Sequence, residues 1–350
     1  GSAAIIFKED GKSLSATASL VLQTSVMKLA GVNTVTISRT AKATAGSPGS
    51  AGLSDNSCIL TGNASGDFNK DTLSLDASST ASLGNCSLHS NASMNCQGAA
   101  TGATAVTASG VATACVRANS GASPIPDIYA KLASHIETVC GRTDGGAVWQ
   151  AGEKLPVGDT VVEVARAGYR EIHICGELKL KGEISLNGED STEDLVIVIE
   201  NGGVTIREGA SISANHVTFV LAGGSGTPAI DPPKSKDKEA KFSISASSSE
   251  KNPWRGVAFY QHPELTRDVD MKWKSGARIM IDGLAYFPNA NLTISGTLTS
   301  GTLGCTKLVA GTMSIEGAIK LSQSAEGCAK LGVRQYSEPG KPAALAYLTQ

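Results

Sequence analysis

Aromatic side chains make up only 4% of this 350-residue chain, which holds 3 Trp, 6 Tyr and 6 Phe. An ordinary enzyme interior uses more bulk than that. A stack of short strands needs only a few small or branched residues per coil to fill a thin, continuous core. Basic charge is not in excess either: 30 Lys and Arg stand against 32 Asp and Glu, for a formal net charge of −2. The longest basic stretch is a lysine-rich loop near Pro233. Nucleic acid is therefore disfavoured as a partner. No apolar run approaches the ~20 residues that span a bilayer; the longest are residues 3–7 and 195–199. None of the 8 cysteines forms a CxxC pair and the 5 histidines lack ligand spacing, which disfavours zinc. Gly11-Lys12-Ser13 fails as a phosphate-binding loop, because Ile6 stands where that motif needs glycine.

Glycine is abundant, at 39 residues, together with Ser, Thr and Ala. From Asp159 onward, apolar-polar alternation dominates. Leu178, Leu180, Ile184 and Leu186 alternate with Glu177, Lys179, Lys181, Glu183 and Ser185, so the first set faces a core and the second faces water. Residues 195–199, LVIVI, read as a strand buried on both faces. VTIRE, SISAN, VTFVL, FSISA, VAFY, RIMI, LAYF, LTIS, LVAG and MSIEG follow at short intervals. No helix fits between them, which points to a β-helix with rungs of about 20 residues. The Pro- and Lys-bearing stretch 223–241 is a loop thrown out from one rung.

The rest of the chain divides around this region. Residues 13–31 place Leu14, Ala18, Val21, Leu22, Ser25 and Leu29 on one helical face, with Ser13 and Gly31 as caps. An N-terminal amphipathic helix within residues 1–45 is expected. Residues 46–120 form a small-residue β region, a first solenoid or a sandwich, entered through a Gly/Ser-rich linker. A helical connector over 121–150 is expected to hold a helix at 128–139 that carries Tyr129, Leu132, Ile136 and Val139. The β-helix domain spans 151–335, and a surface tail, 336–350, carries Pro339 and Pro342. The fold class is thus mostly β, a right-handed parallel β-helix with small helical segments.

The cysteines are Cys58, Cys86, Cys96, Cys115, Cys140, Cys175, Cys305 and Cys328. An even count in such a chain favours disulfides and an oxidising compartment. Sequence does not fix the connectivity; the expectation is neighbour pairing, Cys58–Cys86, Cys96–Cys115, Cys140–Cys175 and Cys305–Cys328.

Three words carry a family resemblance: a glycine followed by an FYQ strand (residues 256–261), GLAYFPNANLTISG (283–296) and CTKLVAGTMSIEG (305–317), closed by Cys328. They resemble the TadG-like proteins of bacterial Tad, or Flp-type, tight-adherence pilus systems. A looser match covers the cysteine and Asn-Ala words at residues 86–91. The resemblance implies a non-enzymatic, extracytoplasmic protein of the cell envelope, a pilus-assembly or minor-pilin-like component in adhesion. Its partners would be other pilus components, pilin-like proteins among them, and surface polysaccharide. It further implies a membrane anchor ahead of the N-terminal helix; Gly1-Ser2 has the form of a tag-cleavage remnant, so the anchor is expected upstream.

No cofactor, metal or catalytic residue is expected. Asp76-Ala77-Ser78-Ser79-Thr80 approximates the DxSxS metal motif of the von Willebrand A module that many TadG-like proteins carry. It lacks the α/β alternation that would supply the remaining ligands, and a Ser/Thr-rich turn accounts for it. β-Helices also build polysaccharide lyases and hydrolases, which need convergent carboxylates. Glu189-Asp190 and Glu193-Asp194 sit in a turn where solvation explains them, and Arg267-Asp268-Asp270, near His262, reads as a polar loop. Tyr260, Trp273, Tyr286 and Phe287 read as stacked core, with a sugar-binding platform as the alternative. Two other functions stay open: a carbohydrate-binding or carbohydrate-active β-helix protein, and a bactofilin-like polymerising scaffold. Bactofilin-like polymers are cytosolic and lack paired cysteines.

Overall fold

The computed structural model describes residues 2–9, 13–23, 34–45, 56–62, 67–141, 146–151, 156, 160–187, 193–207, 209–223, 230–231, 240–263, 269–333 and 346–349. The chain divides into two compact units, Gly1–Asp55 with Gln335–Gln350, and Asn56–Arg334.

The first unit is an antiparallel sheet. Ser2–Glu9 pairs with Ser13–Gln23, which pairs with Thr34–Ala45, and Ala346–Thr349 adds to the last of these. Residues 13–23 are therefore a strand, which corrects the helix expected over 13–31; residues 24–31 of that helix lie outside the described residues. The same letters explain the outcome. Leu14, Ala16, Ala18, Leu20 and Leu22 recur at every second position, and β-branched Thr17 and Val21 favour extended backbone. The helical stripe leaned on Ala18 and Ser25, which bring little apolar bulk. Within the expected tail, residues 346–349 form a strand of this sheet. Among the described residues no helix is long and apolar enough to cross a membrane.

In the second unit successive strands visit three sheets in turn and pair in parallel with the strand one coil later; Val161–Arg166 differs in pairing antiparallel with Tyr169–Cys175. Tyr169–Cys175 stacks on Asp194–Glu200, Glu177–Lys181 on Val204–Ile206, and Glu183–Leu186 on Ser211–Ala214. The strand Ala277–Ile294 contributes to all three sheets. It turns one corner at Gly283, where φ is +130° and a Cβ would meet that of Ala246 at 2.6 Å, a place open only to glycine. The product is a three-sided parallel β-solenoid.

One in-register column runs its length on the first sheet: Ile172, Ile197, Phe219, Phe259, Ala285, Leu308, Ile59, Leu88 and Val106. Every member is buried. The column exposes the chain order of the fold. Rungs from residues 306–322 are followed in space by those from 57–84, through Leu308–Ile59, Met313–Leu73 and Ile319–Ala81. The two β regions of the sequence are one continuous solenoid, whose first-made rungs lie beyond its last.

That order obliges the chain after residue 120 to travel back along the stack. The described part of this strap crosses the outer side of the first sheet. Asn91 Oδ1 accepts the Ile125 amide at 2.7 Å, Tyr260 donates to the Tyr129 carbonyl at 3.2 Å, and Glu200 accepts the Val139 and Cys140 amides at 2.9 and 3.2 Å. The strap explains why outward-pointing Val198, Val220, Tyr260, Tyr286, Val309 and Leu60 are buried. The helix expected over 128–139 is corrected to a 3₁₀ turn, Ala130–His135. Asp127 Oδ1 caps its start by accepting the Tyr129 and Ala130 amides. The helix stops because the later amides are given to the Glu200 carboxylate, and Val139 is exposed.

The core changes character along the stack. Its middle holds the scarce aromatics: Phe219 stacks on Phe259 at 5.7 Å, Phe259 meets Phe287 at 5.9 Å with the rings tilted, and Trp273 meets Phe287 edge-on at 6.2 Å. The rungs from residues 57–113 rely on Ala81, Leu83, Leu88, Met94 and Ala108, with two disulfides supplying the restraint that apolar bulk does not. A short helix, Ala325–Leu331, closes the unit; Ser324 caps its start and Gly332, at φ +74°, its end.

Candidate functional site

The eight cysteines form four disulfides, Cys58–Cys86, Cys96–Cys115, Cys140–Cys175 and Cys305–Cys328. Each joins cysteines that are neighbours in sequence; in Cys58–Cys86 and Cys96–Cys115 one coil of the solenoid brings the chain back beside its own starting point. Cys140–Cys175 fastens the strap to the first sheet. Cys305–Cys328 fastens the short helix to the strand Thr306–Ile315 through the residue just before it.

Beside Cys175 lies a cluster of ionisable side chains. Glu171 and His173 project outward from one strand, and Glu200 from the next. His173 is fully buried, with Nε2 2.8 Å from Glu171 Oε1 and Nδ1 2.8 Å from Glu200 Oε1. Arg166, on the strand Val161–Arg166, donates through Nε and Nη2 to Glu171 Oε1 at 3.0 and 2.6 Å. It also donates to Glu137 Oε2 of the strap at 2.9 Å. Burial opposes charge on both His173 and Glu171. The hydrogen bonds outweigh it, so the His173 pKa stands above, and that of Glu171 below, its ordinary value. Sequence reasoning missed this cluster. The signal was Glu171 and His173 two residues apart, alternating with Ile172 and Ile174 in the strand YREIHIC, whose last five residues are all buried.

Asp194 is corrected from a solvated turn residue to a buried one. Its oxygens accept the Ser248 and Ser249 amides at 3.3 and 3.1 Å and Asn252 Nδ2 at 3.0 Å. His216 Nδ1 stands 3.6 Å away and also meets Ser248 Oγ at 2.9 Å. Burial would raise the Asp194 pKa, but these partners hold it below the usual carboxylate range. Ser248, His216 and Asp194 superficially form a nucleophile triad. Serine and aspartate approach the same ring nitrogen, so no proton path runs through the imidazole. Glu193 is exposed, and Glu189 and Asp190 lie outside the described residues.

The Asp76 to Thr80 word forms a turn. Asp76 Oδ1 accepts the Ser78 amide at 3.0 Å and its hydroxyl at 2.9 Å, and these bonds lower its pKa. Among the described residues no His, Cys, Asp or Glu group has the arrangement to hold a metal. Asp270 points outward and accepts Asn291 Nδ2 at 3.1 Å; Arg267 and Asp268 lie outside the described residues. Tyr260, Trp273, Tyr286 and Phe287 are all buried. Trp273 and Phe287 belong to the core cluster. Tyr260 and Tyr286 stack at 4.9 Å beneath the strap, where Tyr286 donates to Asp127 Oδ2 at 2.6 Å. No exposed aromatic platform arises from these four.

The open surface of the second sheet has another character. Lys272, Thr293, Ser314, Ser74, Asn95 and Thr113 follow one another in register on successive rungs. Beside them runs the shorter row Asp270, Asn291, Thr312, linked by hydrogen bonds of 3.1 and 2.9 Å. A groove of about 240 Å³ lies over the middle of the two rows, lined by Thr293, Ser314, Ser74, Asn291 and Thr312 together with Lys70 and Asp71. Its floor offers hydroxyls and one amide with charges of both signs nearby.

Fold and site together define a disulfide-locked parallel β-solenoid with a polar outer ladder. Neither the family models, nor the curated proteins, nor the solved structures with which the chain was compared contain a match.

Proposed function

We propose that this chain is a non-enzymatic scaffold of the bacterial cell envelope that serves surface adhesion as a component of pilus assembly, in the manner of TadG-like proteins. The observation that carries the reading is how its polar groups are deployed. The buried clusters around His173 and Asp194 fasten the strap and a loop, whereas the exposed rows of the second sheet run as ladders from rung to rung and, among the described residues, do not converge on one point. Such a body suits rigid display. Four disulfides fit an oxidising compartment and argue against a cytosolic bactofilin-like polymer. A right-handed coil is taken for the solenoid, the sense that parallel crossovers adopt.

The surface contacted in adhesion would be polysaccharide, met by the hydroxyl and amide rows of the second sheet. Membrane attachment would come from an anchor outside these residues, and pilin-like proteins would be the direct partners. The test is fractionation of the native bacterium with an antibody to this chain. Recovery with envelope and sheared pili, and loss of surface attachment on gene deletion, is expected. Recovery in the cytosol with reduced cysteines would overturn the reading.

A further inference from the structure

We propose that Glu171, His173 and Glu200 form a pH-sensitive latch that holds residues 137–140 of the strap against the solenoid, closed while both ring nitrogens of His173 carry protons. The geometry makes the demand. Both ring nitrogens stand 2.8 Å from carboxylate oxygens, yet a neutral imidazole has one N–H to give. Removing the second proton leaves a buried lone pair 2.8 Å from a carboxylate oxygen, too close for any third group to stand between them.

Glu200 transmits that change to the strap. Its Oε1 accepts both His173 Nδ1 and the Val139 amide, and its Oε2 accepts the Cys140 amide. The other groups around the ring are few. Glu171 comes from its own strand, Arg166 from the antiparallel strand beside it, and Glu137 from the strap, paired to Arg166. The Tyr169 hydroxyl lies near the same carboxylate, its pKa raised by burial and by Glu171. With the latch closed, three carboxylates face one guanidinium and one imidazolium; deprotonation leaves only the guanidinium against three.

The sign follows from the two directions of shift. The His173 pKa is raised in the folded chain, so its contribution is whole in mild acid and fades as pH climbs through the raised value. The Glu171 pKa is lowered, so its contribution fades only when pH falls well into the acid range. The latch thus opens on the alkaline side. Cys140–Cys175 tethers the strap when it does, which keeps the opening local and reversible, and His173's ladder neighbour Val198 is uncovered.

The experiment is amide hydrogen exchange of peptides covering residues 136–141 in the oxidised protein, corrected for intrinsic rate, from about pH 6 to about pH 9.5. Ring ¹⁵N resonances of His173 are followed in parallel. Corrected exchange should rise at least about tenfold across the pH range where His173 loses its second proton. A Cys140→Ser/Cys175→Ser variant should keep the transition and enlarge it. Exchange that stays flat while His173 titrates, or a His173 already neutral at pH 7, would overturn the latch. So would a transition that vanishes in the cysteine variant, since the response would then belong to the disulfide. If that variant does not fold, the wild-type profile decides alone.

Discussion

Leu308 and Ile59 are parallel ladder partners, both buried in the same column of core side chains. Their contact joins the late rungs of the chain to the early ones, and the rest of the architecture follows from it. The early rungs cannot be capped by what comes next in sequence, because the next coil must start at the far end. The strap, its tyrosine contacts and its disulfide all answer that single topological demand.

The seam should respond sharply to charge. Ile315 lies between Ile294 and Leu75 and is fully buried, while its neighbour Ser314 faces outward. Ile315→Asp should cost more than about 4 kcal/mol or prevent folding, because an unpaired carboxylate enters the core. Ser314→Asp should stay within about 0.5 kcal/mol of the parent. Urea unfolding of the two variants measures both.

All cysteines are paired, so thiol titration of denatured, unreduced protein should find no free sulfhydryl. Removing Cys305–Cys328 should destabilise by about 2–4 kcal/mol. Removing Cys96–Cys115 should act more locally, because it pins the terminal rung, where Val111 and Val116 are exposed. Hydrogen exchange there should rise over residues 106–120 with the middle rungs unchanged.

Asp194 supplies an acid limb to stability. Its pKa is lowered in the folded chain, so its contribution is whole above about pH 4, the unfolded carboxylate value, and is lost as pH falls through the lower folded one. Asp194→Ala strands the Ser248, Ser249 and Asn252 donors and should cost about 2–3 kcal/mol near neutrality. The variant should also show a shallower loss of stability below about pH 4 in acid titration followed by circular dichroism.

Legibility in the sequence followed period and burial. Leu178, Leu180, Ile184 and Leu186 announced their inward face by strict alternation, and all are buried. LVIVI read as doubly buried because it is apolar at every position, and the strap supplies the second cover. The Ser13 and Ile128 segments misled for different reasons. The first carried both periods, and sheet pairing selected the extended one. The second had helical letters whose amides found a better acceptor in Glu200, a partner distant in sequence. The helix Ala325–Leu331 was bracketed by Ser324 and Gly332, a cap pair that could have revealed it. In the Glu171–His173–Glu200 cluster only the Glu171–His173 pair was local in sequence; Glu200 and the strap join it when the rungs stack.

The most direct measurement is a methyl–methyl nuclear Overhauser experiment on protein labelled at Ile, Leu and Val methyls. Continuity of the solenoid places Ile59 beside Leu308 and Leu73 beside Met313. Cross-peaks from Ile59 to Leu308, and from Leu60 to Val309, are the expected result. Two separate β domains, each with internal cross-peaks but none between these pairs, would contradict the account.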